Sequence, residues 1–235
     1  TGAIRTLKIN DDELNYQIRY AGYSINLANE KDGGLLLVGK AIKRLDRTTG
    51  KCKILHISDG AKSVGNYLLI GASDQGLWFH DNNCIYLLHH GAENIVRKGR
   101  LDDGMIKSGN IGPRGNIWLA TDKGLCRYSI AESSFSFIET GLFSSAVSVV
   151  SDRSGRVWVG TDTKLYAYLI ESNIFAMFGE SDGAKPNEFL SQSCLLSNSG
   201  DIMMGGVQGL LHIESTKKQS LYRRNSPCQK CRNVV

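Results

Sequence analysis

The chain has 235 residues, of which 41% are hydrophobic and 22% are charged, and it can therefore bury a substantial core. It contains no run of 18 apolar residues and no signal-peptide pattern at its start, which argues against a membrane-spanning helix among these residues. The net charge of +5 lies at the C-terminal end, because residues 214–235 hold six basic residues and one acidic residue, while residues 1–213 hold 22 of each. We therefore expect the neutral part of the chain not to bind nucleic acid.

A short motif recurs along the chain. Residues 115–128 (GNIWLATDKGLCRY) and residues 155–168 (GRVWVGTDTKLYAY) share a Gly, a hydrophobic-Trp pair, a Thr-Asp turn, a Leu and a terminal Tyr at an offset of 40 residues. Self-similarity at this period is typical of repeat proteins. The sequence predicts five units, whose equivalent positions are Leu37, Leu69, Trp118, Trp158 and Met203.

Each unit contains four predicted strands. A variable apolar stretch comes first, followed by the strand with the Trp position, a tight turn, and two further strands rich in aromatic and β-branched residues. Four antiparallel strands in about 40 to 45 residues match the size of a β-propeller blade. A β-sandwich also has short strands, but its strands occupy inequivalent places and have no reason to repeat the same Gly, Trp and Leu positions. The sequence therefore predicts an all-β propeller of four-stranded antiparallel blades.

In chain order, we expect three parts. Residues 1–25 form the outer strands of an incomplete blade, residues 26–213 form the five blades, and residues 214–235 form a basic, disordered tail. Within that tail, Cys228 and Cys231 have the CxxC spacing of a zinc or redox site. Two ligands do not complete a tetrahedral site, so no metal is predicted there.

The repeats resemble those of a known family. Residues 115–129 and 154–168 are similar to the two-component regulator propeller repeat. Residues 181–213 resemble the last blade of that propeller in the sensor region of Bacteroidetes hybrid two-component system histidine kinases. The matching residues are Asp182, Gly183, Asn187, Glu188, Phe189, Gly205, Gly206, Gly209 and Leu210.

This resemblance implies a periplasmic sensor, part of an inner-membrane protein, that detects a carbohydrate breakdown product and signals to a histidine kinase and a DNA-binding output. It also implies a seven-bladed propeller, so five blades and part of a sixth predict an incomplete, open propeller that is prone to self-association. The implied partners in the parent protein are the missing propeller blades and a following immunoglobulin-like domain.

No residue pattern predicts catalysis. The histidines stand at unlike positions of the repeat and in no catalytic motif, and residues 205–210 (GGVQGL) lack the helix and the Lys-Ser/Thr of a phosphate loop. Four cysteines in different units are expected to be buried free thiols, namely Cys52, Cys84, Cys126 and Cys194. We therefore expect no catalytic residue, no cofactor, no metal and no enzymatic activity of this chain.

Candidate ligand-binding residues are polar side chains in loops at one end of the blades. In a propeller, the loop that leads into the first strand of a blade, here called the lead-in loop, emerges at the same end as the turn between the second and third strands. Asp122 and Asp162 also fit an Asx turn, in which the carboxylate binds the backbone of its own turn, so a structural role stays open for both. We predict ligand contacts from Asp74, Gln75, Asp122, Lys123, Asp162, Thr163, Asp182, Lys185, Asn187, Glu188 and Gln208.

Three functions stay open. The leading one is a sensor propeller that binds an oligosaccharide or contacts a partner domain. The second is a propeller enzyme of lyase or glycan-hydrolase type, which would need a His or paired carboxylates converging on the central channel. The third is a scaffold that positions neighbouring domains and binds no ligand.

Overall fold

The computed structural model describes residue 9 and residues 26–60, 66–185, 187–214 and 231–234, the last range by its backbone alone. Within these ranges the chain forms strands, turns and two short 3-10 helices, Pro113–Gly115 and Glu180–Asp182. No helix in the described part of the chain is long and apolar enough to cross a membrane.

The strands form five four-stranded antiparallel blades, which confirms the predicted β-propeller architecture. Each blade is a meander, because every strand pairs with the next strand along the chain; the connections are short except between β19 and β20. The bounds are β1 (Asn26–Asn29), β2 (Leu35–Val38), β3 (Ile42–Leu45) and β4 (Cys52–Ile57) for blade 1; β5 (Leu68–Ser73), β6 (Gly76–His80), β7 (Cys84–His89) and β8 (Asn94–Arg100) for blade 2; β9 (Ile106–Ile111), β10 (Asn116–Thr121), β11 (Gly124–Ser129) and β12 (Ser134–Phe137) for blade 3; β13 (Ser148–Ser151), β14 (Arg156–Gly160), β15 (Leu165–Leu169) and β16 (Ile174–Phe178) for blade 4; β17 (Phe189–Leu196), β18 (Ile202–Gly206), β19 (Gly209–Ile213) and β20 (Cys231–Val234) for blade 5.

The predicted alignment of the second unit is wrong by one strand. Leu69 lies in β5, the first strand of blade 2, whereas Leu37, Trp118, Trp158 and Met203 all lie in the second strand of their blades. The second strand of blade 2 is β6, and its central residue is Trp78. With Trp78 in the column, the spacings become 41, 40, 40 and 45 residues, which is more regular than the predicted alignment. The run NYLLIGAS is as apolar as a second strand, and this similarity produced the error.

The chain divides into two compact units, residues 1–100 and residues 101–235. In the first unit, the core lies between blades 1 and 2, where Leu36 and Val38 share a buried cluster with Phe79 and Tyr86. The outer strands of these two blades also pair in parallel, with Ile57 opposite Ile95, so the eight strands form one continuous sheet.

In the second unit, tryptophan side chains fill the space between neighbouring blades. Trp118 of blade 3 is 1% exposed and makes an edge-to-face contact with Tyr168 of blade 4, with ring centroids 5.7 Å apart. Trp158 of blade 4 is 2% exposed and belongs to a buried cluster with Phe189 and Met204 of blade 5. Both tryptophans of the repeated motif therefore lie in the core between blades.

The turn between the first and second strands of blade 4 is held by the buried carboxylate of Asp152. It accepts hydrogen bonds from the backbone N–H groups of Ser154 and Arg156, both at 2.9 Å, and from Trp158 Nε1 at 3.2 Å. Arg156 Nε also donates to the same carboxylate. In blade 3 the equivalent residue is Gly112, and a Cβ there would lie 2.6 Å from Trp118 Nε1. The equivalent turns of the two blades therefore depend on different contacts.

The last blade is completed by a strand from the basic tail. β20 pairs antiparallel with β19, with Leu210 opposite Val234 and Ile213 opposite Cys231. For these four residues the structure differs from the expected disordered tail, because the backbone of β19 offers a pairing edge that composition does not reveal. Residues 215–230, which include Cys228, lie outside the described residues, and so does the predicted incomplete blade apart from Ile9. Ile9 packs against the cluster of Leu37 and Leu45.

Candidate ligand-binding site

The turns between the second and third strands of blades 3 and 4 are formed by threonine. The Thr121 hydroxyl accepts a hydrogen bond from Lys123 N at 3.1 Å and donates to Gly124 O at 2.9 Å. The Thr161 hydroxyl makes a similar pair of contacts, accepting from Lys164 N and donating to Lys164 O, both at 3.1 Å. The Asx-turn alternative for Asp122 and Asp162 is therefore wrong, because the preceding threonine supplies the turn and leaves both carboxylates for other contacts.

In blade 3, the carboxylate of Asp122 holds the lead-in loop of its own blade. Asp122 Oδ1 accepts a hydrogen bond from Met105 N at 2.7 Å, and Lys123 Nζ lies 3.6 Å from Asp103 Oδ1. Gly104 has a φ of +105°, so the chain turns tightly where it meets Asp122. These contacts confirm that the lead-in loop and the second turn emerge at the same end of this blade.

Blade 5 has the same arrangement with amide side chains. Gln208 Oε1 accepts from Glu188 N at 2.8 Å, and Asn187 Oδ1 accepts from Gln208 N at 3.1 Å. Asn187 Nδ2 donates to Gly209 O at 3.2 Å, and a side chain at Gly206 would collide with the Asn187 amide. In the family-like motif, the asparagine therefore connects the start of β17 to the β18–β19 turn by hydrogen bonds, and the glycines leave space for its side chain.

The remaining part of that motif is also structural. Asp182 Oδ2 accepts a hydrogen bond from Gly179 N at 3.0 Å, and Gly183 has a φ of +84°, so the Asp-Gly pair closes the short helix before β17. Phe189 is buried between blades 4 and 5, and a Cβ at Gly160 would lie 2.7 Å from its ring. Of the predicted binding residues, Asp122, Asp182, Asn187 and Gln208 thus use their side chains to hold loops.

Four predicted residues in blades 4 and 5 keep exposed side chains that make no hydrogen bond or ion pair with the described residues. They are Asp162 and Thr163 in the second turn of blade 4, and Lys185 and Glu188 in the lead-in loop of blade 5. These side chains stand on loops that other residues fix, so they are available to an external ligand.

Asp74 and Gln75 lie at the other end of their blade. They form the turn between β5 and β6, because the second unit is shifted by one strand relative to the predicted alignment. The turn between the second and third strands of blade 2 instead contains Asp81, which is 2% exposed and accepts from Cys84 N at 2.8 Å and Tyr86 Oη at 2.7 Å. A shallow depression beside Asp74 is lined by Asn29, Lys31, Ala72, Ser73, Leu77 and His90.

The histidine next to Asp81 is fully buried in the core. His80 is 0% exposed, and its Nδ1–H donates to Asp81 O at 2.8 Å. Burial lowers the pKa of His80 to about 4, and burial also raises the pKa of the Tyr86 hydroxyl. Neither group can reach a substrate, so this cluster supports the blade and offers no acid-base chemistry at the surface.

The cysteines offer no activated thiolate in the described part of the chain. The four cysteines whose side chains are described are free, with Cys84 and Cys126 buried and Cys52 and Cys194 partly exposed. Burial raises the pKa of the Cys126 thiol to about 12, and burial also raises the pKa of Cys194. Among the described residues, no group of three or more His, Cys, Asp and Glu side chains could hold a metal ion.

A second polar cluster was not predicted from the sequence. The first strands of blades 3 and 5 approach each other at Lys107, whose carbonyl oxygen accepts from Ser191 Oγ and, at 3.4 Å, from Gln192 Nε2. Lys107 Nζ donates to Ser145 Oγ at 2.9 Å. No sequence signal singles out Lys107, because β9 reads IKSGNI and contains other polar residues.

Comparison with known proteins places these blades in the β-propeller class. No protein-family model matches the chain, and no curated protein matches it either. Among solved structures, the extracellular domain of the hybrid two-component system BT3049 from B. thetaiotaomicron has a TM-score of 0.65 and 17% identity, with 81% of this chain and 28% of that domain covered. This chain therefore spans less than a third of that domain.

Two enzymes have similar folds. Virginiamycin B lyase from Staphylococcus aureus has a TM-score of 0.58 and 15% identity, with 77% of this chain and 62% of the lyase covered. The gluconolactonase XC5397 from Xanthomonas campestris has a TM-score of 0.56 and 14% identity, with 77% of this chain and 69% of that enzyme covered. At these identities the similarity establishes the fold that all three share with this chain.

Proposed function

We propose that this chain is part of the periplasmic sensor propeller of a hybrid two-component signalling protein and that it binds an oligosaccharide. Two independent lines support the sensor role. The repeats resemble the two-component regulator propeller, and structures with the same fold include the extracellular domains of hybrid two-component systems. In the full protein, further blades, an immunoglobulin-like domain and a histidine kinase would be the partners of this chain.

The ligand proposal rests on a group of exposed polar side chains that make no hydrogen bond or ion pair with the described residues and that stand on loops held by other hydrogen bonds. Asp122, Asn187 and Gln208 fix the loops at one end of blades 3 and 5. Asp162, Thr163, Lys185 and Glu188 remain exposed on such loops in blades 4 and 5. Carboxylates, hydroxyls and ammonium groups are the donors and acceptors that sugar hydroxyls require, and fixed loops reduce the entropy lost on binding.

Isothermal titration calorimetry against a panel of oligosaccharides tests this proposal. A double variant, Asp162→Ala with Glu188→Ala, should weaken binding at least about 10-fold, because each carboxylate contributes about 1 kcal/mol through hydrogen bonds. Glu171→Ala is the matched control, since Glu171 is an exposed carboxylate in the β15–β16 turn at the opposite end of blade 4. A chain that binds no member of the panel, or a double variant that binds as tightly as the parent, would contradict the proposal.

A second candidate function is that of a propeller lyase or hydrolase, because enzymes are among the structures with this fold. Chromatography of the calorimetry samples separates the two candidates. An intact oligosaccharide after prolonged incubation supports a sensor, and time-dependent release of shorter sugars supports an enzyme. Absence of both binding and cleavage would support the third possibility, a scaffold.

A further inference from the structure

Lys107 carries a positive charge that no carboxylate of the described residues neutralises. It is the second residue of β9 and is partly buried. Its ammonium group donates one hydrogen bond, to the Ser145 hydroxyl at 2.9 Å, and it forms no ion pair within the described part of the chain. An ammonium group has three donors, so two of them have no protein acceptor there.

Three other cations do have a carboxylate partner. Arg44 lies 2.7 Å from Glu30, Arg156 is paired with Asp152, and even the exposed Lys123 lies 3.6 Å from Asp103. A partly buried charge without a partner is unfavourable, because it loses hydration and gains no compensating attraction. Lys107 is therefore a position at which an external anion would improve the electrostatic balance.

The surroundings of Lys107 are held rigidly. Ser191 Oγ and Gln192 Nε2 both donate to the Lys107 carbonyl oxygen, which fixes β17 against β9 at this residue. Gln192 has a φ of +61°, and the pairing of β17 with β18 shifts register between Phe189 and Cys194. Non-glycine residues rarely adopt this conformation, and such strain and bulges are concentrated at binding sites.

Ser145 supplies a second donor beside the ammonium group. Its oxygen accepts the hydrogen bond from Lys107, so its own O–H group remains available to donate. Ser145 lies just before β13, in the lead-in loop of blade 4, at the end of the blade that carries Asp162 and Thr163. A cation and a hydroxyl donor side by side form a suitable pair for an oxyanion.

We infer that Lys107 and Ser145 bind an anionic group, a carboxylate or a sulfate, that is carried by the saccharide ligand. This inference rests on the proposed function and makes it more specific, because it selects acidic oligosaccharides over neutral ones. The Lys107 ammonium group pairs with the anion, the Ser145 hydroxyl donates to it, and the exposed side chains of the neighbouring loops contact sugar hydroxyls.

Calorimetry with three probes tests the inference on the full chain. The probes are trigalacturonic acid, a chondroitin 4-sulfate disaccharide and neutral maltotriose. At least one acidic probe should bind about 10-fold or more tightly than maltotriose, because a charge-assisted contact is lost in the neutral sugar. The acidic probe that binds with the higher affinity identifies the carboxylate or the sulfate as the preferred group.

Variants locate the contact. Lys107→Gln should weaken binding of the acidic probe about 10-fold or more, and Lys107→Arg should keep the affinity within about 3-fold of the parent. Lys51→Gln, at an exposed lysine between β3 and β4, is the control and should change the affinity less than about 2-fold. A variant with the six basic residues of the tail replaced by Gln is a further control, which should leave the affinity unchanged. Thermal melting of each variant establishes that it is folded.

The outcomes separate the inference from the proposed function. If maltotriose binds as tightly as the acidic probes, or if Lys107→Gln binds the acidic probe like the parent, the inference is overturned while oligosaccharide binding stands. If the acidic probe depends on the tail residues and not on Lys107, the anion contact lies elsewhere and the inference is likewise overturned. If none of the probes and no member of the wider panel binds, the proposed function and the inference both fail.

Discussion

Trp158 shows at the residue scale why the repeat retains a large aromatic side chain. Its ring lies 5.0 Å from the ring of Phe178 in the same blade and is buried against residues of blade 5. A single side chain therefore fills space within a blade and between two blades. Its indole N–H donates to Asp152, and this hydrogen bond offsets the cost of burying the polar group.

Replacement of Trp158 by Ala should lower the free energy of unfolding by about 3 to 5 kcal/mol, because it leaves a cavity in the core between blades. Trp158→Phe should cost less, since it retains an aromatic ring and loses the contact with Asp152. Urea unfolding followed by circular dichroism measures both effects. An unchanged unfolding midpoint for Trp158→Ala would show that this packing does not contribute to stability.

His80 gives the first unit a dependence on pH. Its pKa is lowered to about 4 by burial, whereas an unfolded chain binds a proton near pH 6.5. Between these values the unfolded state binds more protons than the folded state, so stability falls as the pH is lowered from about 6.5 towards 4. Between pH 7 and pH 5 the loss should be about 2 kcal/mol.

Urea unfolding at both pH values tests this assignment. His80→Gln removes the titrating group, so the stability of this variant should change less between pH 7 and pH 5 than that of the parent. The comparison is between two pH values of one protein, so it remains valid even if the substitution itself lowers stability. Equal pH dependence in the two proteins would assign the effect to other groups.

At the scale of the single element, the first turn of blade 4 depends on one carboxylate. Asp152 is 4% exposed and accepts from two backbone N–H groups, from Arg156 and from Trp158. In blade 3 the glycine at the equivalent position provides no such acceptor, and Trp118 Nε1 has no hydrogen-bond partner in the described part of the chain. The hydrogen bonds that stabilise the blade 4 turn therefore depend largely on one side chain, Asp152.

Asp152→Ala should destabilise the protein by about 2 to 4 kcal/mol, because several buried donors lose their acceptor together. Asp162→Ala is a matched control in the same blade, since the exposed Asp162 carboxylate makes no hydrogen bond or ion pair with the described residues. This variant should change stability by less than about 0.5 kcal/mol. A similar loss of stability in both variants would mean that the four hydrogen bonds of Asp152 do not stabilise the turn.

β20 determines whether blade 5 has three strands or four. A chain that ends at residue 230 lacks the partner of β19 and exposes the edge formed by Leu210–Ile213. Removal of the strand should lower the melting temperature and favour aggregation, because an unpaired strand edge can pair with another molecule.

Thermal melting and size-exclusion chromatography measure these two effects. Arg232→Gln in the full chain is the control, since it removes one charge of the tail and keeps the strand. A truncated chain that melts like the parent and remains monodisperse would show that β20 does not stabilise blade 5.

At the scale of the whole molecule, charge is distributed unevenly along the chain. Residues 1–213 are neutral, and the net charge of +5 comes from the last 22 residues. A neutral surface does not release counterions from a phosphate backbone, so affinity for nucleic acid from the blades should be negligible.

Fluorescence anisotropy of a labelled DNA duplex, at about 50 and 200 mM salt, measures binding to the chain and tests this expectation. The full chain should bind at most weakly at the lower salt concentration, and binding should disappear when the six basic residues of the tail are replaced by Gln. Salt-dependent binding that survives these replacements would locate a basic surface on the blades.

The sequence by itself determined the features that depend on neighbouring residues. The four strands of a blade, the buried Trp118 and Trp158, and the turns that join successive strands follow from local alternation and from turn-forming residues. The predicted alignment of blade 2 was wrong because its first and second strands have the same apolar character. The 40-residue spacing from Trp78 to Trp118 nevertheless indicates the correct alignment.

Only the tertiary structure decided which residues meet across the fold. Lys107 contacts Ser145, 38 residues away, and Ser191, 84 residues away, because the first strands of separate blades converge. β20 reaches β19 across 17 residues that carry no strand pattern, and Asp122 turns to Met105 because Thr121 already closes its turn. Each of these contacts depends on how complete blades are placed, and a local sequence pattern holds no information about that placement.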